Sequence, residues 1–328
     1  MESPSTTREE SAPYFSCTRL NSTTFVIHER DKWEEHPFIY VKICDDPPVV
    51  VLSDTGCGGG RLDHPNFGNL RDFIETYPIP ENGETPLNPR KSNGELSRTY
   101  SIICTHCHYD HILGLNHFPA ACSRVIASSH DKSFIEQKLP EHSLCESVGV
   151  PVPDYTVSIW AKDFEKIYSS PSLNLQILHT PGHTPDELAF YDQNERHLFV
   201  GDSFYERVAN DKSYEQAIIF PKEGNFIHYM QSLEKMLTFV NVRNAEAHKH
   251  PVKIGCGHVT SSVDGRDILL AVKELFLTII AGKVPIVKTE EKRGEEFVFW
   301  KEVGDPRFSV AAPKRLMLDA RKAMGFGA

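Results

Sequence analysis

Short apolar runs, separated by polar segments that contain glycine and proline, recur along most of the chain. Runs of this length are typical of strands in sheets with both faces covered, whereas buried helices need longer stretches. The sequence therefore predicts strands at 24–27, 38–43, 49–52, 101–104, 125–127, 173–178, 188–191, 197–200, 252–256 and 296–301.

Helical spacing of apolar residues is confined to fewer segments. From about residue 225, Phe226, Met230, Leu233 and Leu237 recur every three or four positions, which predicts a helix with one buried face. Further helices are predicted over 70–76, 266–281 and 313–324. Strands interleaved with helices indicate an α/β fold class.

Two segments show neither pattern. Residues 1–13 are polar and lack an apolar centre, so we predict a disordered tail and no secretory signal. Residues 57–97 are rich in glycine, proline, asparagine and charge, and we predict an insert within a single domain that spans 14–328. The insert has two interpretations, a lid or pocket wall beside the site and a surface decoration.

Residues 105–111 read Thr-His-Cys-His-Tyr-Asp-His, a dense cluster of groups that bind zinc and similar ions. In an extended segment, residues two apart point the same way, so His106 and His108 can bind one ion. If a helix then begins, Asp110 and His111 face a neighbouring position. One short segment can therefore serve two adjacent metals where a predicted strand ends, a common place for active sites.

This motif resembles the signature of the metallo-β-lactamase fold superfamily. Four further motifs stand in that family's order, with Asp-Thr-Gly upstream at 54–56 and three downstream: Thr-Pro-Gly-His-Thr at 180–184, Gly-Asp at 201–202 and Gly-His at 257–258. Five motifs in order are a specific pattern, and the resemblance runs from about residue 24 to about residue 282. It implies a four-layer αββα sandwich.

The resemblance also implies a ligand set for two divalent metal ions, with Zn²⁺ as the first expectation, although the same set accepts iron, manganese or cobalt. The implied ligands are His106, His108 and His183 for the first metal, Asp110, His111 and His258 for the second, and Asp202 as the bridge. Asp54 would orient a ligand histidine or the loop beneath it, although Asp-Thr-Gly also suits a simple turn.

Two such metals imply hydrolysis, in which a metal-bridging hydroxide attacks a carbonyl or phosphoryl centre and Asp110 is the nearest carboxylate for proton transfer. Tyr205 lies three residues beyond Asp202 and resembles a tyrosine that helps hold the substrate carbonyl in acyl-homoserine lactonases. It could equally be an aromatic residue that covers the site. One departure is Asp186, which stands where many relatives have the last glycine of Gly-His-Thr-x-Gly.

We therefore expect a hydrolase that opens a small cyclic ester or amide, a lactone or lactam, with xenobiotic detoxification as a role. The alternative is a glyoxalase II-like thioesterase acting on glutathione conjugates, but the C-terminal segment shows no long helical domain with a basic clamp. A mononuclear iron dioxygenase would use fewer ligands. A net charge of −10 disfavours a nucleic-acid-processing member.

Composition sets the remaining expectations. The 328 residues are 40% hydrophobic, enough for one large core, and contain no apolar run of membrane-spanning length. The eight cysteines show no disulfide spacing, and we read Cys104 and Cys107 as packing thiols. We expect a cytoplasmic protein whose partner is a small-molecule substrate, without nucleic acid or membrane. Homodimers are common in the resembled family.

Overall fold

The computed structural model describes residues 14–59, 69–207, 217–304 and 306–326. The predicted tail, 1–13, lies outside the described residues. Seven strands, β1 to β7, form the first sheet in the order of the chain. Neighbours from β1 to β4 pair antiparallel, and neighbours from β4 to β7 pair parallel. The strands are β1 Phe15–Arg19, β2 Thr24–Glu29, β3 Phe38–Asp45, β4 Pro48–Ser53, β5 Thr99–Ile103, β6 Ser123–Ser128 and β7 Val157–Ala161.

Ten more strands in the described residues divide between two sheets. In chain order they are β8 Lys166–Ser169, β9 Asn174–His179, β10 Leu188–Asp192, β11 His197–Phe199, β12 Ile218–Ile219, β13 Lys253–Gly255, β14 Val263–Asp264, β15 Ile286–Lys292, β16 Glu295–Lys301 and β17 Ser309–Pro313. The second sheet has the order β14-β13-β11-β10-β9-β8, and the third has the order β12-β17-β16-β15.

The described part of the chain also contains six α-helices. They are α1 Leu70–Thr76, α2 Tyr109–Ile112, α3 Lys132–His142, α4 Phe226–Asn244, α5 Gly265–Ile280 and α6 Lys314–Ala323. Asn225 caps α4 by accepting hydrogen bonds from the backbone N–H groups of Ile227 and His228. None of the described helices is both long and apolar enough to cross a membrane.

The first two sheets pack face to face and carry helices on their outer faces. In β4, Val49 and Val51 belong to the core between the sheets, together with Ile177 of β9. Val50 and Leu52 of the same strand point to the other face, into a core that α1 also covers. This alternation is the consequence of the two-residue period of a strand. Helices α4 and α5 cover the outer face of the second sheet, so the predicted four-layer αββα sandwich is confirmed.

The third sheet was not predicted. Of its strands, the apolar pattern indicates only β16. Strand β15 has no such pattern, because it reads Ile-Val-Lys-Thr-Glu-Glu-Lys and is exposed at six of its seven positions. Val298, Trp300 and Val310 of this sheet join the core beneath α4 and α5. The C-terminal segment is therefore an integral part of the sandwich, and its β15–β16 hairpin reaches the site described below.

Candidate metal centre

The seven predicted ligands all lie in loops or first turns that follow strands. His106 and His108 are in the loop after β5, and α2 begins at the next residue. His183 follows β9, and two more ligands follow β11 and β13, which pair parallel and so end at the same edge of the second sheet. The fold brings these side chains into two buried groups: His106, His108 and His183, and Asp110, His111, Asp202 and His258.

The first group consists of three imidazoles whose nitrogens converge. His108 Nδ1 lies 3.0 Å from His106 Nε2 and 3.1 Å from His183 Nε2. Burial lowers the pKa of all three histidines, that of His108 to about 3. The imidazoles are therefore neutral, and their converging lone pairs suit a cation, because neutral imidazole is the form that binds metals.

The second group combines two imidazoles with two carboxylates. His111 Nε2 lies 3.3 Å from Asp202 Oδ1 and 3.4 Å from Asp110 Oδ2. His258 Nε2 lies 3.2 Å from Asp110 Oδ2 and 3.3 Å from Asp202 Oδ2. Both carboxylates thus lie between the two histidines.

Charge in this group is balanced. Burial disfavours the imidazolium form of His111 and His258, but the surrounding carboxylates outweigh it and raise both pKa values well above the usual range. Burial likewise opposes ionisation of Asp110 and Asp202, yet the two histidines hold the pKa of each carboxyl well below its usual range. A bound divalent ion would replace the two histidine protons.

The donor set fits two divalent ions. Nitrogen and carboxylate ligands in groups of three and four match the demands of zinc and iron. In the described residues, the buried atoms His111 Nε2 and Asp202 Oδ1 make no well-aligned hydrogen bond although they lie 3.3 Å apart, and a metal ion would satisfy both.

Asp54 supports the centre from behind, as predicted. Its carboxylate accepts hydrogen bonds from the Thr105 backbone N–H at 2.7 Å and the Thr105 hydroxyl at 2.9 Å, and contacts His111 Nδ1 at 3.0 Å. A proton on His111 Nδ1 leaves Nε2 facing the centre as the ligand atom. The residue is 2% exposed, so a surface turn does not explain it.

Gly257 shows how closely the centre is packed. A Cβ atom at this position would lie 2.3 Å from Asp202 Oδ1 and 2.9 Å from His111 Cε1. The glycine before His258 is therefore required for space, and the Gly-His motif has a physical reason.

The sequence profile of the metallo-beta-lactamase superfamily matches residues 50–241. The chain belongs to this superfamily. A protein of Aspergillus versicolor provisionally named transcription factor avaE is 32% identical over 319 residues, which cover 94% of this chain and 88% of that relative.

Two further similar proteins cover less of the chain or share less sequence with it. Hydroxyacylglutathione hydrolase GloC of Haemophilus influenzae is 28% identical over 107 residues, 32% of this chain and 50% of that enzyme. A metallo-beta-lactamase family protein of known structure from Thermus thermophilus is 18% identical with a TM-score of 0.51, and the match covers 82% of this chain and 84% of that chain. This last likeness shows the fold.

A pocket opens directly above the two groups of predicted metal ligands. It encloses roughly 760 Å³ including its open mouth, and Asp110, His183 and His258 form its floor. Its walls are mostly apolar. Most of the lining side chains above the floor come from α2, the loop after β11, the 217–222 segment and the third sheet; among them are Tyr109, Tyr205, Ile219, Phe220, Phe297 and Pro313. None of the described residues of the 57–97 insert lines this pocket. Helix α1 of the insert instead packs on the outer face of the first sheet, in the same core as Val50 and Leu52.

Tyr205 lines the pocket, but its hydroxyl has a partner. The Tyr205 hydroxyl donates a hydrogen bond to the carbonyl oxygen of Ala217 at 2.7 Å. Its ring lies edge-on to His258, with centroids 5.5 Å apart. The side chain therefore covers the second ligand group, and its role towards a substrate carbonyl stays a prediction.

Three other residues that the sequence singled out, Cys104, Cys107 and Asp186, are buried close to the predicted ligands in the chain. Cys104 and Cys107 are free and buried in apolar clusters, as expected for packing thiols. Asp186 is 1% exposed and lies beside Cys107 and Thr184, and burial raises its pKa to about 6. It thus fills interior space where many relatives have glycine.

Sequence reasoning missed Glu35. Its backbone carbonyl accepts a hydrogen bond from His258 Nδ1 at 2.8 Å, which orients that ligand as Asp54 orients His111. Its carboxylate accepts a hydrogen bond from the Tyr109 hydroxyl and lines the pocket. No motif marks it, because it lies in an irregular loop more than seventy positions from α2.

Proposed function

We propose that this protein is a dinuclear metal-dependent hydrolase that opens a small cyclic ester or amide, a lactone or lactam. The observation that carries the proposal is the juxtaposition of two complete ligand groups beneath one pocket with apolar walls. Such a pocket suits a small organic substrate with an apolar body beside the bond to be broken.

Two divalent ions, with Zn²⁺ as the first candidate, would lower the pKa of a bound water and polarise the substrate carbonyl. His106, His108 and His183 would hold one ion. Asp110, His111 and His258 would hold the other, and Asp202 would bridge them.

The side chains of this chain supply orientation and proton handling. Asp110 lines the pocket between His111 and His258, where its carboxylate would accept a proton released during attack. The apolar walls exclude water and strengthen the electrostatic interactions at the floor. Tyr205 could donate to the substrate carbonyl only by giving up its bond to Ala217.

A glyoxalase II-like thioesterase is the second candidate, and one observation favours it. The sequence shows no basic clamp of a helical domain, yet Lys222, Lys292 and Arg293 line the pocket. Cations there suit an acidic substrate such as a glutathione conjugate, and GloC, a hydroxyacylglutathione hydrolase, is a partial relative. The two candidates share one centre and differ in substrate alone.

The name of the Aspergillus versicolor relative includes a role as a transcription factor. For this chain we favour an enzyme with a small-molecule substrate and no nucleic-acid partner. DNA-binding proteins present basic surfaces, whereas this chain has a net charge of −10. Cytoplasmic location and homodimer formation stay predictions from the sequence.

Mass-spectrometric detection of water addition tests the proposal. The panel contains an acyl-homoserine lactone, an aryl lactam, a cyclic carbamate and a glutathione thioester. We expect opening of at least one ring compound by the metal-loaded protein. Turnover of the thioester alone would select the second candidate, and no turnover of any compound would contradict both.

His108→Ala is the matched test of the centre. It should abolish turnover and deplete bound metal, because one of the three converging nitrogens is lost. His228→Ala, at an exposed histidine of α4, should leave metal content and rate unchanged. Full activity of His108→Ala with normal metal content would refute the centre.

A further inference from the structure

We propose that Lys292 binds an anionic group of the substrate, a carboxylate, at the mouth of the pocket. The inference rests on the proposed function in so far as the ligand is a substrate. It narrows that substrate to an ester, thioester or amide whose apolar body ends in a negative charge.

The hairpin β15–β16 places Lys292 at the mouth. Lys292 is the last residue of β15 and pairs with Glu295 across a two-residue turn. The turn residues Arg293 and Gly294 have φ values of 52° and 77°, the left-handed conformation of the tight turns that match strand twist. Strand pairing and a tight turn fix the backbone of Lys292 beside the pocket.

The other two cations of the pocket are already neutralised. Lys222 Nζ lies 2.7 Å from Glu141 Oε1 and 3.6 Å from Glu223 Oε1. Arg293 Nη2 lies 3.2 Å from Glu223 Oε1. These two cations and two carboxylates form a chain of ion pairs that joins α3 to the hairpin, so their charges cancel.

Lys292 has no such partner. It makes no ion pair with any residue that the structure describes, and its ammonium lies 5.2 Å from the centroid of the Phe297 ring. Phe297 is 4% exposed and lines the pocket as well. The positive charge therefore stands at the end of an apolar wall, where an anion attached to an apolar group would meet it.

The positive charge of Lys292 contrasts with the negative net charge of the whole protein. A net charge of −10 repels anions in general. Lys292, which forms no ion pair within the described part of the chain, adds a local positive charge at the mouth of the pocket, which attracts an anionic ligand there. The side chain is exposed, so we expect a moderate preference that salt weakens.

A fluorescence titration with dansylglycine and its uncharged amide, dansylglycinamide, tests the inference by binding alone. Both probes carry the same aromatic group and differ by one carboxylate. We expect the wild-type protein to bind the anion at least about tenfold more tightly at low salt. Lys292→Gln should remove that preference, and Lys292→Arg should restore it.

Lys288→Gln is the matched control. Lys288 lies on the same strand over Phe299, pairs with Glu290, and does not line the pocket. Its variant should retain the wild-type preference. An equal preference in Lys292→Gln and the wild type, or none in the wild type, overturns the inference.

Kinetics with two activated esters separate the inference from the proposed function. The pair is 4-nitrophenyl pentanoate and the mono-4-nitrophenyl ester of adipic acid, which adds a terminal carboxylate. We expect Lys292→Gln to lower the ratio of kcat/KM for the anionic over the neutral ester by about tenfold. Anion preference in binding without hydrolysis of any substrate would refute the proposed function and leave the inference standing.

Discussion

Asp54→Asn tests how the centre is held, because it changes a charge and almost no volume. The Asp54 carboxylate serves three partners, the Thr105 N–H, the Thr105 hydroxyl and His111 Nδ1. In the variant, the amide oxygen can still accept from the Thr105 N–H. The amide N–H₂ can donate to the Thr105 hydroxyl, which reverses its role. Among the predicted metal ligands, His111 alone loses an acceptor.

The magnitude follows from that single loss. A hydrogen bond to a charged group contributes about 1.5–3 kcal/mol. At about 1.4 kcal/mol per factor of ten, metal affinity of the second group should fall roughly 10- to 150-fold. The first group, His106, His108 and His183, reaches Asp54 only through the Thr105 hydroxyl, which lies 3.1 Å from His106 Nδ1, so its affinity should change less. We therefore expect the two metal sites to separate in affinity.

Competition with a chromophoric chelator measures both metal dissociation constants. The control is Asp192→Asn, an aspartate that is also buried but pairs with Lys42 at 2.6 Å and accepts from the Asn194 N–H, remote from the ligands. It should lower the free energy of unfolding and leave metal affinity unchanged. Two unaltered dissociation constants in Asp54→Asn would refute the reasoning that Asp54 orients His111.

Three further changes probe the centre and its cover. Gly257→Ala should reduce bound metal from about two ions to one, since its Cβ would meet Asp202 Oδ1 at 2.3 Å; elemental analysis that finds both ions in the folded variant contradicts this. Metal binding at pH 7 should release protons from His111 and His258, because their pKa values are raised in the metal-free protein. Metal affinity should therefore rise with pH, by up to about 100-fold per pH unit if two protons are released. Calorimetry in buffers of different ionisation enthalpy measures the release, and buffer-independent heats would exclude it. Tyr205→Phe should lower kcat by about tenfold if the hydroxyl leaves Ala217 for the substrate, whereas a rate within about twofold of wild type assigns Tyr205 to packing over His258.

The convergence of the seven predicted ligands could be predicted from the sequence because each belongs to a short motif. His106 and His108 project from one extended segment, and Asp110 and His111 follow on the first turn of α2. His183, Asp202 and His258 each follow a short apolar strand. A strand is visible in the sequence when both its faces are covered, so the positions of these motifs were predictable too.

Residues that act through long-range contacts could not be predicted in this way. Glu35 reaches His258 from a loop 223 positions away, and no local pattern marks that contact. Strand β15 carries charge at most positions because it is an exposed edge. Charged edge strands prevent association with other sheets. The same charged residues interrupt the apolar pattern, so hydrophobic periodicity does not predict such a strand.

On these proposals, chemistry and selectivity come from different parts of this chain. The ligands lie on strand ends of the two main sheets, where the resemblance to a large superfamily is carried by short motifs. The pocket mouth is built by the 217–222 segment and the β15–β16 hairpin. The hairpin lies outside residues 50–241, the part of the chain that matches the superfamily. Exchange of Lys292 can change which substrate is bound without altering a ligand. The same centre could thus serve a ring-opening hydrolase or a thioesterase, and the hairpin is where the two should differ.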